Sequence, residues 1–358
     1  DHEEIISYNY PMFNPTFTIT NKILTNISKI EASEEVIKHS PLLPLWEKQF
    51  KEEALIRAVY HGTHLEGNIL HKDDAKDILM GRDVIGRPRD IQEIINYRKV
   101  IEFIDDEANK KIDKISEQII KKLHRILTDK ILIGEQIGEY RTKQVIIRNS
   151  ANGEVTFRPP PPIEVPFLMR EFVYWLNRDD KDKLHPVLKA GIAHHELVRI
   201  HPFLDGNGRV SRVLATLILF LGGYDIRRFF SLEEYYDKDA ITYYQNLQKA
   251  SAGDLSSWLE YFTSGAGIEF EKVKEKILKL SKDVKLKEKF GGQQIFLTER
   301  QMKMIEYIQE IGYIQNQTFG DVFPDVSEDT VLRDLQDLIK KGLLKKIGST
   351  KSARYTMV

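Results

Sequence analysis

The chain has 358 residues, and its 53 lysines and arginines nearly balance 54 aspartates and glutamates, so the net charge is −1. This balance excludes a global electrostatic attraction to nucleic acid or anionic lipid, and any phosphate site must be local. No apolar run reaches the roughly 20 residues that a membrane span needs, which excludes a membrane partner. The absence of cysteine excludes disulfides and thiolate catalysis and favours a cytoplasmic protein.

Helical periodicity dominates the first half of the chain. Apolar residues recur at helical spacing in four stretches, at residues 19–30, 45–59, 90–105 and 115–127. A polar segment, residues 61–68, follows the second stretch and is expected to end that helix. In the third stretch, Ile94 and Ile104 are among the isoleucines expected to contact the core. The first half is therefore predicted to be mainly helical.

The pattern changes between residues 138 and 162. Residues 145–148 and 155–157 favour strands, and the turn-like segment between them predicts a β-hairpin. Four consecutive prolines at 159–162 predict an extended spacer. Helices are predicted to follow at 165–177, at 187–199, and from residue 207 or 208 to residue 221.

A lysine-rich amphipathic helix is predicted at residues 266–290, and Gly291 with Gly292 marks the best domain boundary. After it, Thr298 and Gln301 have the spacing of a capping box. The elements predicted beyond this box are helices at 302–311 and 329–341 and strands at 343–346 and 354–358. Two helices followed by a hairpin indicate a winged helix-turn-helix.

Residues 201–212 concentrate groups suited to binding phosphate. Gly206 and Gly208 permit backbone conformations in which amide groups converge on an anion, and the start of the following helix adds its positive dipole end. Arg209 and Arg212 are three positions apart, so both can point from one helical face toward phosphate oxygens. This spacing predicts an anion-binding loop.

The same segment contains a base and a metal ligand. Neutral His201 can accept a proton from an attacking hydroxyl near pH 7. Asp205 offers the single carboxylate that Mg²⁺ commonly takes from a protein when phosphates supply its other ligands. His194 and His195, two helical turns earlier, lack a partner at ligand spacing and are expected to be structural.

The sequence His-Pro-Phe-Leu-Asp-Gly-Asn-Gly-Arg at 201–209, with Arg212, resembles the Fic-domain signature HPFx(D/E)GNGRxxR at every specified position. The resemblance extends over residues 40–225 and includes Tyr140, Arg141, the hairpin, the prolines and Trp175. It implies a mainly α fold: a Fic-type helical bundle with a small β-hairpin, called the flap, here joined to a C-terminal winged-helix domain.

The resemblance also implies an activity, the transfer of AMP from ATP to a Ser, Thr or Tyr hydroxyl of a target protein or of the chain itself. His201 would be the general base and Asp205 would hold Mg²⁺. The residues implied to bind nucleotide or phosphate are Phe203, Gly206, Asn207, Gly208, Arg209 and Arg212. The Phe203 ring is expected to anchor the loop in the core. The flap residues implied to dock the target are Val145, Ile146, Ile147 and Arg148.

Residues 63–68, hereafter the inhibitory segment, resemble the family's inhibitory motif (S/T)xxxE(G/N). The resemblance implies that Glu66 pairs with Arg212 and competes with the γ-phosphate for the same guanidinium. One position departs from the motif, because Gly62 stands where a hydroxyl residue is expected and Thr63 comes one position late.

Four regions are expected. These are an N-terminal helical region carrying the inhibitory motif (1–110), a Fic catalytic core (111–265), a helical linker (266–292) and the winged helix-turn-helix domain (293–358). The C-terminal domain is compatible with DNA binding, protein docking or support of a homodimer. The acidic residues Glu328, Asp329, Asp334 and Asp337 on its recognition helix disfavour phosphate contacts, whereas Lys345, Lys346, Lys351 and Arg354 can form a basic wing.

Two other functions stay open on the sequence. The first is a DNA-binding regulator whose Fic-like part senses nucleotide, although a sensor would not need the base His201. The second is a related enzyme that transfers another phosphate-containing group or removes AMP. Gly208 favours AMP transfer, because the kinase-like branch of the family usually carries lysine there.

Overall fold

The computed structural model describes residues 12–40, 44–148, 153, 155–178, 184–224, 228–250, 253–289, 297–348 and 353–358. The chain divides into two compact units, Asp1–Ser281 and Lys282–Val358. The predicted hinge at Gly291 and Gly292 lies outside the described residues. The four region limits taken from the sequence stay a prediction. None of the helices in the described part of the chain has both the length and the apolar composition of a membrane span.

Helices make up most of the first unit. In chain order they are α1 (Asn21–His39), α2 (Pro44–His64), α3 (Lys72–Leu79), α4 (Pro88–Asn109), α5 (Glu117–Thr128), α6 (Val165–Asn177), α7 (Pro186–Ile200), α8 (Asn207–Leu221), α9 (Leu232–Lys238), α10 (Ala240–Ala250) and α11 (Ser256–Lys289). The last of these extends eight residues beyond the first unit.

The pair α7 and α8 lies at the centre of the first unit. Almost every residue of α8 from Asn207 to Leu219 is buried. This is expected of its mostly apolar second half, from Val213 to Leu219, whereas the first turns bury polar and charged side chains. Each fully buried Val, Leu or Ile side chain contributes about 1.5–3 kcal/mol of transfer free energy. The two helices are thus held rigidly, and so is the loop that joins them.

Helices α2, α4 and α5 surround this pair. In α5, Ile120, Leu123 and Leu127 recur at helical spacing and are at most 1% exposed, and the Ser116 hydroxyl caps the first turn by accepting from the amide of Ile119. In α4, Ile94 and Ile104 are fully buried, as the periodicity predicts. These contacts place the ends of α2, α4 and α5 next to the loop between α7 and α8.

Helix α2 is longer than predicted, because it continues through residues 61–64, where the polar residues suggested an end. Tertiary contacts explain the extra turn. Both His61 and His64 hydrogen-bond through Nδ1 to the Asp237 carboxylate, at 2.7 and 2.8 Å. The Thr63 hydroxyl donates back to the Val59 carbonyl of its own helix.

The predicted hairpin is present as strands β1 (Ile147–Arg148) and β2 (Val155–Phe157), which pair antiparallel. The proline spacer is extended only as far as Pro161, because a short 3₁₀ turn begins at Pro162 and leads directly into α6. Helix α11 begins at residue 256 rather than 266. Its first turns are buried on several sides, with Trp258, Leu259 and Phe262 at 0% exposure. The sequence there lacks the one-sided apolar pattern of a surface helix, and the prediction therefore missed these turns.

The second unit is a small helical domain with one sheet. Its elements are α12 (Glu299–Ile311), β3 (Ile314–Gln315), α13 (Phe319–Val322), α14 (Glu328–Lys340), β4 (Leu344–Ile347) and β5 (Arg354–Met357). The sheet is antiparallel with the order β3-β5-β4, and the predicted capping box is formed, Thr298 and Gln301 each bonding the other's amide. Ile308, Leu335 and Tyr355 belong to its separate core. This is the winged helix-turn-helix that the sequence predicts.

Candidate active site

The loop of residues 201–206, hereafter the motif loop, joins the end of α7 to the start of α8. It begins at His201, whose backbone adopts the left-handed conformation with φ 52° and ψ 58°. Few residues other than glycine and asparagine adopt this conformation without strain, so the surrounding contacts must stabilise it. The His201 amide donates to the Leu197 carbonyl, at 3.0 Å, and closes the helix.

The His201 ring is prepared to accept a proton. Its Nδ1 lies 3.3 Å from the carbonyl oxygen of Val198. Because a carbonyl can only accept, Nδ1 carries the hydrogen and the lone pair is on Nε2. Burial lowers the pKa of His201 to about 4, so the ring is neutral at pH 7.

Asn207 closes the motif loop. Its Oδ1 accepts from the Phe203 amide at 2.9 Å, and its Nδ2 donates to the Phe203 carbonyl at 2.8 Å. The side chain is buried and forms both bonds at once, so it fixes the curvature of the loop. Asn207 was expected to contact phosphate, but in this structure its amide is bound to the loop backbone.

Phe203 lies in the core and not on the open side of the loop. Its ring is fully buried and stacks on His124 with 3.9 Å between ring centroids. The expected anchoring by the ring is observed, and the side chain is not available to a nucleotide.

His124 of α5 supports the loop and was not predicted. Its Nδ1 accepts from the Gly138 amide at 2.9 Å, so Nε2 carries the hydrogen and donates to the Asp205 carbonyl at 3.0 Å. Burial lowers the pKa of His124 to about 4, which keeps this single tautomer. A lone histidine on an amphipathic helix offered no sequence signal for this role.

Arg141 attaches the flap region to the motif loop. Its amide donates to the Pro202 carbonyl and its Nε donates to the His201 carbonyl, each at 2.8 Å. A further guanidinium nitrogen donates to the Pro160 carbonyl. Both ends of the hairpin are therefore connected to the backbone of the candidate base.

The start of α8 presents amide groups to the motif loop. Gly206 is the N-cap and has a φ of 78°, a conformation that favours glycine. The first amides of the helix have no intrahelical acceptor, and the positive end of the helix dipole lies at this point. The anion cradle expected at Gly206 and Gly208 stays a prediction, and the Gly206 amide here donates to Asp205 Oδ1.

Arg212 is buried behind this cradle and pairs with the inhibitory segment. Its Nη2 donates to Glu66 Oε1 at 2.7 Å and to the Gly62 carbonyl at 3.1 Å. Burial opposes the charge, yet Glu66 and the neighbouring tyrosines Tyr243 and Tyr97 hold the pKa of Arg212 well above its usual range. The guanidinium is therefore charged and already bound to a carboxylate.

Glu66 lies directly against the anion cradle. A Cβ built on Gly208 would lie 2.5 Å from Glu66 Oε1, so the close approach depends on the glycine. The Glu66 side chain is 21% exposed, on the turn that follows α2. A phosphate oxygen placed on Arg212 from the loop side would meet this carboxylate.

The structure also explains Gly62. A Cβ at this position would overlap the ring of Tyr97, which is fully buried. The Gly62 carbonyl meanwhile accepts from Arg212. A hydroxyl residue does not fit here, and a backbone oxygen makes the contact with the arginine instead.

Asp205 carries the single carboxylate of the motif loop, and its side chain is 40% exposed. Its Oδ1 accepts from the Gly206 amide at 2.6 Å, and its Oδ2 accepts from Arg89 Nη2 at 3.2 Å. No cluster of three or more metal-binding side chains occurs among the residues that the structure describes. One carboxylate is nevertheless the usual protein share of a Mg²⁺ site completed by phosphates, so Asp205 fits this ion.

The flap residues lie on one strand and its approach. Ile146 is 38% exposed. The backbones of Ile147 and Arg148 form β1. Within the described residues, β1 forms a two-stranded sheet with β2.

Comparison with known proteins gives two family matches. Residues 114–219 match the Fic/DOC family, and residues 300–352 match the DeoR-like helix-turn-helix domain. The protein adenylyltransferase Fic of Drosophila grimshawi is 31% identical over 221 residues, which are 60% of this chain and 42% of that protein. The Drosophila yakuba protein of the same name is 35% identical over 181 residues, 49% of this chain and 34% of that protein. The chain thus spans less than half the length of these curated relatives.

Two solved structures are similar. A Fic family protein from Desulfovibrio desulfuricans has a TM-score of 0.65 at 23% identity, covering 97% of this chain and 98% of that one, and this likeness shows the fold alone. A Fic domain containing signaling protein from Bacteroides thetaiotaomicron has a TM-score of 0.59 at 26% identity, covering 73% of this chain and 98% of that one.

Proposed function

Because the chain contains a Fic domain and its relatives are named protein adenylyltransferases, we propose that it transfers AMP from ATP to a Ser, Thr or Tyr hydroxyl of a protein, including itself. One observation carries the proposal. A single rigid loop connects a neutral His201 with a free Nε2 to two buried arginines, Arg209 and Arg212, at the start of α8. This is a base beside an anion site.

In the proposed reaction, Nε2 of His201 takes the proton of the target hydroxyl, whose oxygen attacks the α-phosphorus of ATP. The bond between the α-phosphorus and the bridging oxygen breaks, and pyrophosphate leaves. The loop amides bind near the α-phosphate, while Arg209 and Arg212 bind the departing phosphates. Most of the catalysis would come from positioning and charge neutralisation.

Asp205 would hold Mg²⁺ at the mouth of the loop. The bound ion would neutralise charge on the phosphates as pyrophosphate leaves. The Gly206 amide already orients the Asp205 carboxylate by donating to Oδ1. The carboxylate therefore needs little rearrangement to present Oδ2 to the ion. Arg89, which now binds that oxygen, would have to turn away.

Glu66 would inhibit the reaction. The carboxylate binds Arg212 and lies against Gly208, so it competes with phosphate for the guanidinium and for the space over the cradle. The flap would dock the target by strand-like pairing with backbone groups of residues 145–148, which include β1.

The test uses ATP labelled at either the α- or the γ-phosphate, with the Glu66→Gly protein, Mg²⁺ and a cell extract. We expect protein-bound label from the α-position only. Label retained from the γ-position would show phosphoryl transfer and would overturn the proposal. His201→Ala in the same background is the matched negative control.

A second function, DNA binding by the C-terminal unit, gains support from one observation. Two acidic residues of α14 that disfavoured it are neutralised inside the unit: Asp334 is buried against Arg300, and Asp337 pairs with Lys341. The exposed face retains Arg333 and Lys340, beside the acidic first turn at Glu328 and Asp329. Lys345, Lys346 and Arg354 are exposed on the wing strands, and Lys351 lies outside the described residues.

A gel shift with random duplex DNA at low salt tests this function. The double variant Arg333→Ala, Lys340→Ala should weaken binding and reduce its salt dependence. With fewer phosphate contacts, the bound protein releases fewer counterions from the DNA. Lys72→Ala, on an exposed position of α3, is the control. No shift by the unaltered protein would leave protein docking as the use of this unit.

A further inference from the structure

The first arginine of the signature, Arg209, is buried beside a carboxylate that no sequence motif indicated. Its side chain is 2% exposed, and Nη1 donates to Glu93 Oε1 at 3.2 Å. Glu93 lies in α4, on the side of the loop where the inhibitory segment ends. A buried guanidinium needs an anionic partner, because an unpaired charge in a low-dielectric interior is strongly unfavourable. Glu93 is this partner.

Glu93 is itself held from two further sides. Its Oε2 accepts from Asn68 Nδ2 at 3.1 Å, and its Oε1 also accepts from Arg89 Nε at 3.2 Å. The carboxylate is 5% exposed and belongs to the interior of a 22-residue helix. It therefore has a fixed position, and so does the nitrogen that it binds.

Glu66 and Glu93 bind the two signature arginines in different ways. Glu66 is on a turn, is partly exposed and lies against Gly208 on the loop side. Glu93 is in a rigid helix and is bonded to three groups. The first arrangement suits a competitor that phosphate can displace, and the second suits a group that stays in place while ligand binds.

Among the described residues, the bond to Glu93 leaves another nitrogen of the Arg209 guanidinium without a hydrogen-bond partner. Within the described part of the chain, its Nε is buried and has no hydrogen-bond partner. Its Nη2 is 3.6 Å from Asp205 Oδ1, beyond ordinary hydrogen-bond length. An unsatisfied buried N–H is costly, and an oxygen of a phosphate chain would satisfy it.

We propose that Glu93 is a positioning residue that aims Arg209 at the terminal phosphates and so makes the site bind ATP in preference to AMP. This inference rests on the proposed function, because it takes Arg209 as a ligand of the phosphates beyond the α-phosphate. Glu93 touches no substrate. It acts by holding one guanidinium nitrogen, which leaves the other two directed at the nucleotide.

The test measures the affinities of ATP and AMP by calorimetry in EDTA, in the Glu66→Gly background. Glu93→Ala should weaken ATP binding about ten-fold, the effect of losing a charged hydrogen bond, and leave AMP binding unchanged. Glu93→Gln should show a smaller loss, because its amide oxygen can still accept from Arg209. Glu102→Ala, which removes an exposed carboxylate of the same helix, should change neither affinity.

An unchanged ratio of ATP to AMP affinity in the glutamine variant, or an equal loss of both nucleotides, would overturn the inference. The glutamine variant keeps the side-chain volume, so it decides the question even if the alanine variant does not fold. Failure of the proposed function would look different. In that case the Glu66→Gly protein with Glu93 intact would retain no α-label, whatever its affinities for the two nucleotides.

Discussion

The chemistry of individual residues depends on contacts that set their protonation and orientation. His201 is neutral because burial lowers its pKa to about 4, and its proton lies on Nδ1 because the Val198 carbonyl accepts it. His124 has the opposite tautomer, because an amide donates to its Nδ1. Two histidines with similar pKa values thus differ in function, one offering a lone pair to solvent and the other fixing a loop.

His201→Ala should abolish AMP transfer while nucleotide binding persists, because the groups proposed to bind phosphate belong to the other end of the loop and to α8. Radiolabel transfer and calorimetric titration measure the two properties in parallel. Unaltered transfer by this variant would contradict the whole mechanism.

The pH dependence of transfer tests the same residue. Because the neutral ring is the base and its pKa is about 4, the rate of the Glu66→Gly protein should be flat from about pH 8 to about pH 5.5. A fall in rate centred near the ordinary histidine value of about 6.5 would show that the site does not lower the pKa.

Gly62→Ala should destabilise the protein by about 1–3 kcal/mol, because the added methyl overlaps the buried ring of Tyr97 and overpacks the core. The matched control is Gly267→Ala in α11, where the nearest atom to a new Cβ is 3.9 Å away. That variant should be neutral or slightly stabilising, since alanine favours helix over glycine. Urea unfolding of both variants gives the comparison, and equal midpoints would refute the packing argument.

At the scale of elements, the end of α2 connects regulation to the fold. Contacts from α9 hold His61 and His64, and α4 holds Asn68 through the Asp90 carbonyl at 3.0 Å. Between these attachments lies Glu66, followed by Gly67 with a φ of 90°. The Glu66 carboxylate is thus on a short turn that is held by hydrogen bonds on both sides.

Glu66→Gly should raise self-modification by about ten-fold or more, because removing a charged hydrogen bond frees Arg212 for phosphate. The measurement is α-label incorporation with ATP and Mg²⁺. Glu52→Gln, at an exposed position of α2, should leave the rate unchanged. If the two variants behaved alike, Glu66 would not be an inhibitor.

At the scale of the whole molecule, the first unit contains several histidines buried in neutral form. His124 and His194 are fully buried and His195 is 3% exposed. Burial lowers the pKa of His124 and His195 to about 4 and that of His194 well below its usual value. In the unfolded chain these side chains bind protons near pH 6.5. The expectation that His194 and His195 are structural agrees with this packing.

Acid should therefore destabilise the protein, because the unfolded state binds more protons than the native state below about pH 6.5. Stability is fully present above that pH and falls by about 1.4 kcal/mol per pH unit for each such histidine as the pH approaches 4. Urea midpoints between pH 7.5 and 5 measure the slope. His195→Gln should reduce it, whereas His39→Gln, at an exposed site, should not; equal slopes in both variants would contradict this account.

The elements that the sequence predicts best are those with local signals. Helix α6 has the predicted bounds, and α7 and α8 differ by one residue at most from the prediction. The helices α3, α9, α10 and α13 were not predicted. Helices α9 and α10 are short and contain adjacent tyrosines such as Tyr243 and Tyr244, which have low helix propensity, so packing around Arg212 and Trp258 must stabilise them.

The candidate site divides in the same way. Motif spacing alone identified His201, Asp205, the two glycines and the two arginines, because a loop followed by a helix brings neighbouring residues together. The sequence could not indicate Glu93, His124 or the contact between Gly62 and Tyr97, and it indicated Arg141 only through the family resemblance, without its bonds to the motif loop. These residues are far apart in the chain, and only packing places them around the loop. The spacing of residues along the chain thus determined which functional groups the candidate site contains. The tertiary structure decided which of its charges are paired, because ionic and steric contacts depend on distance in space.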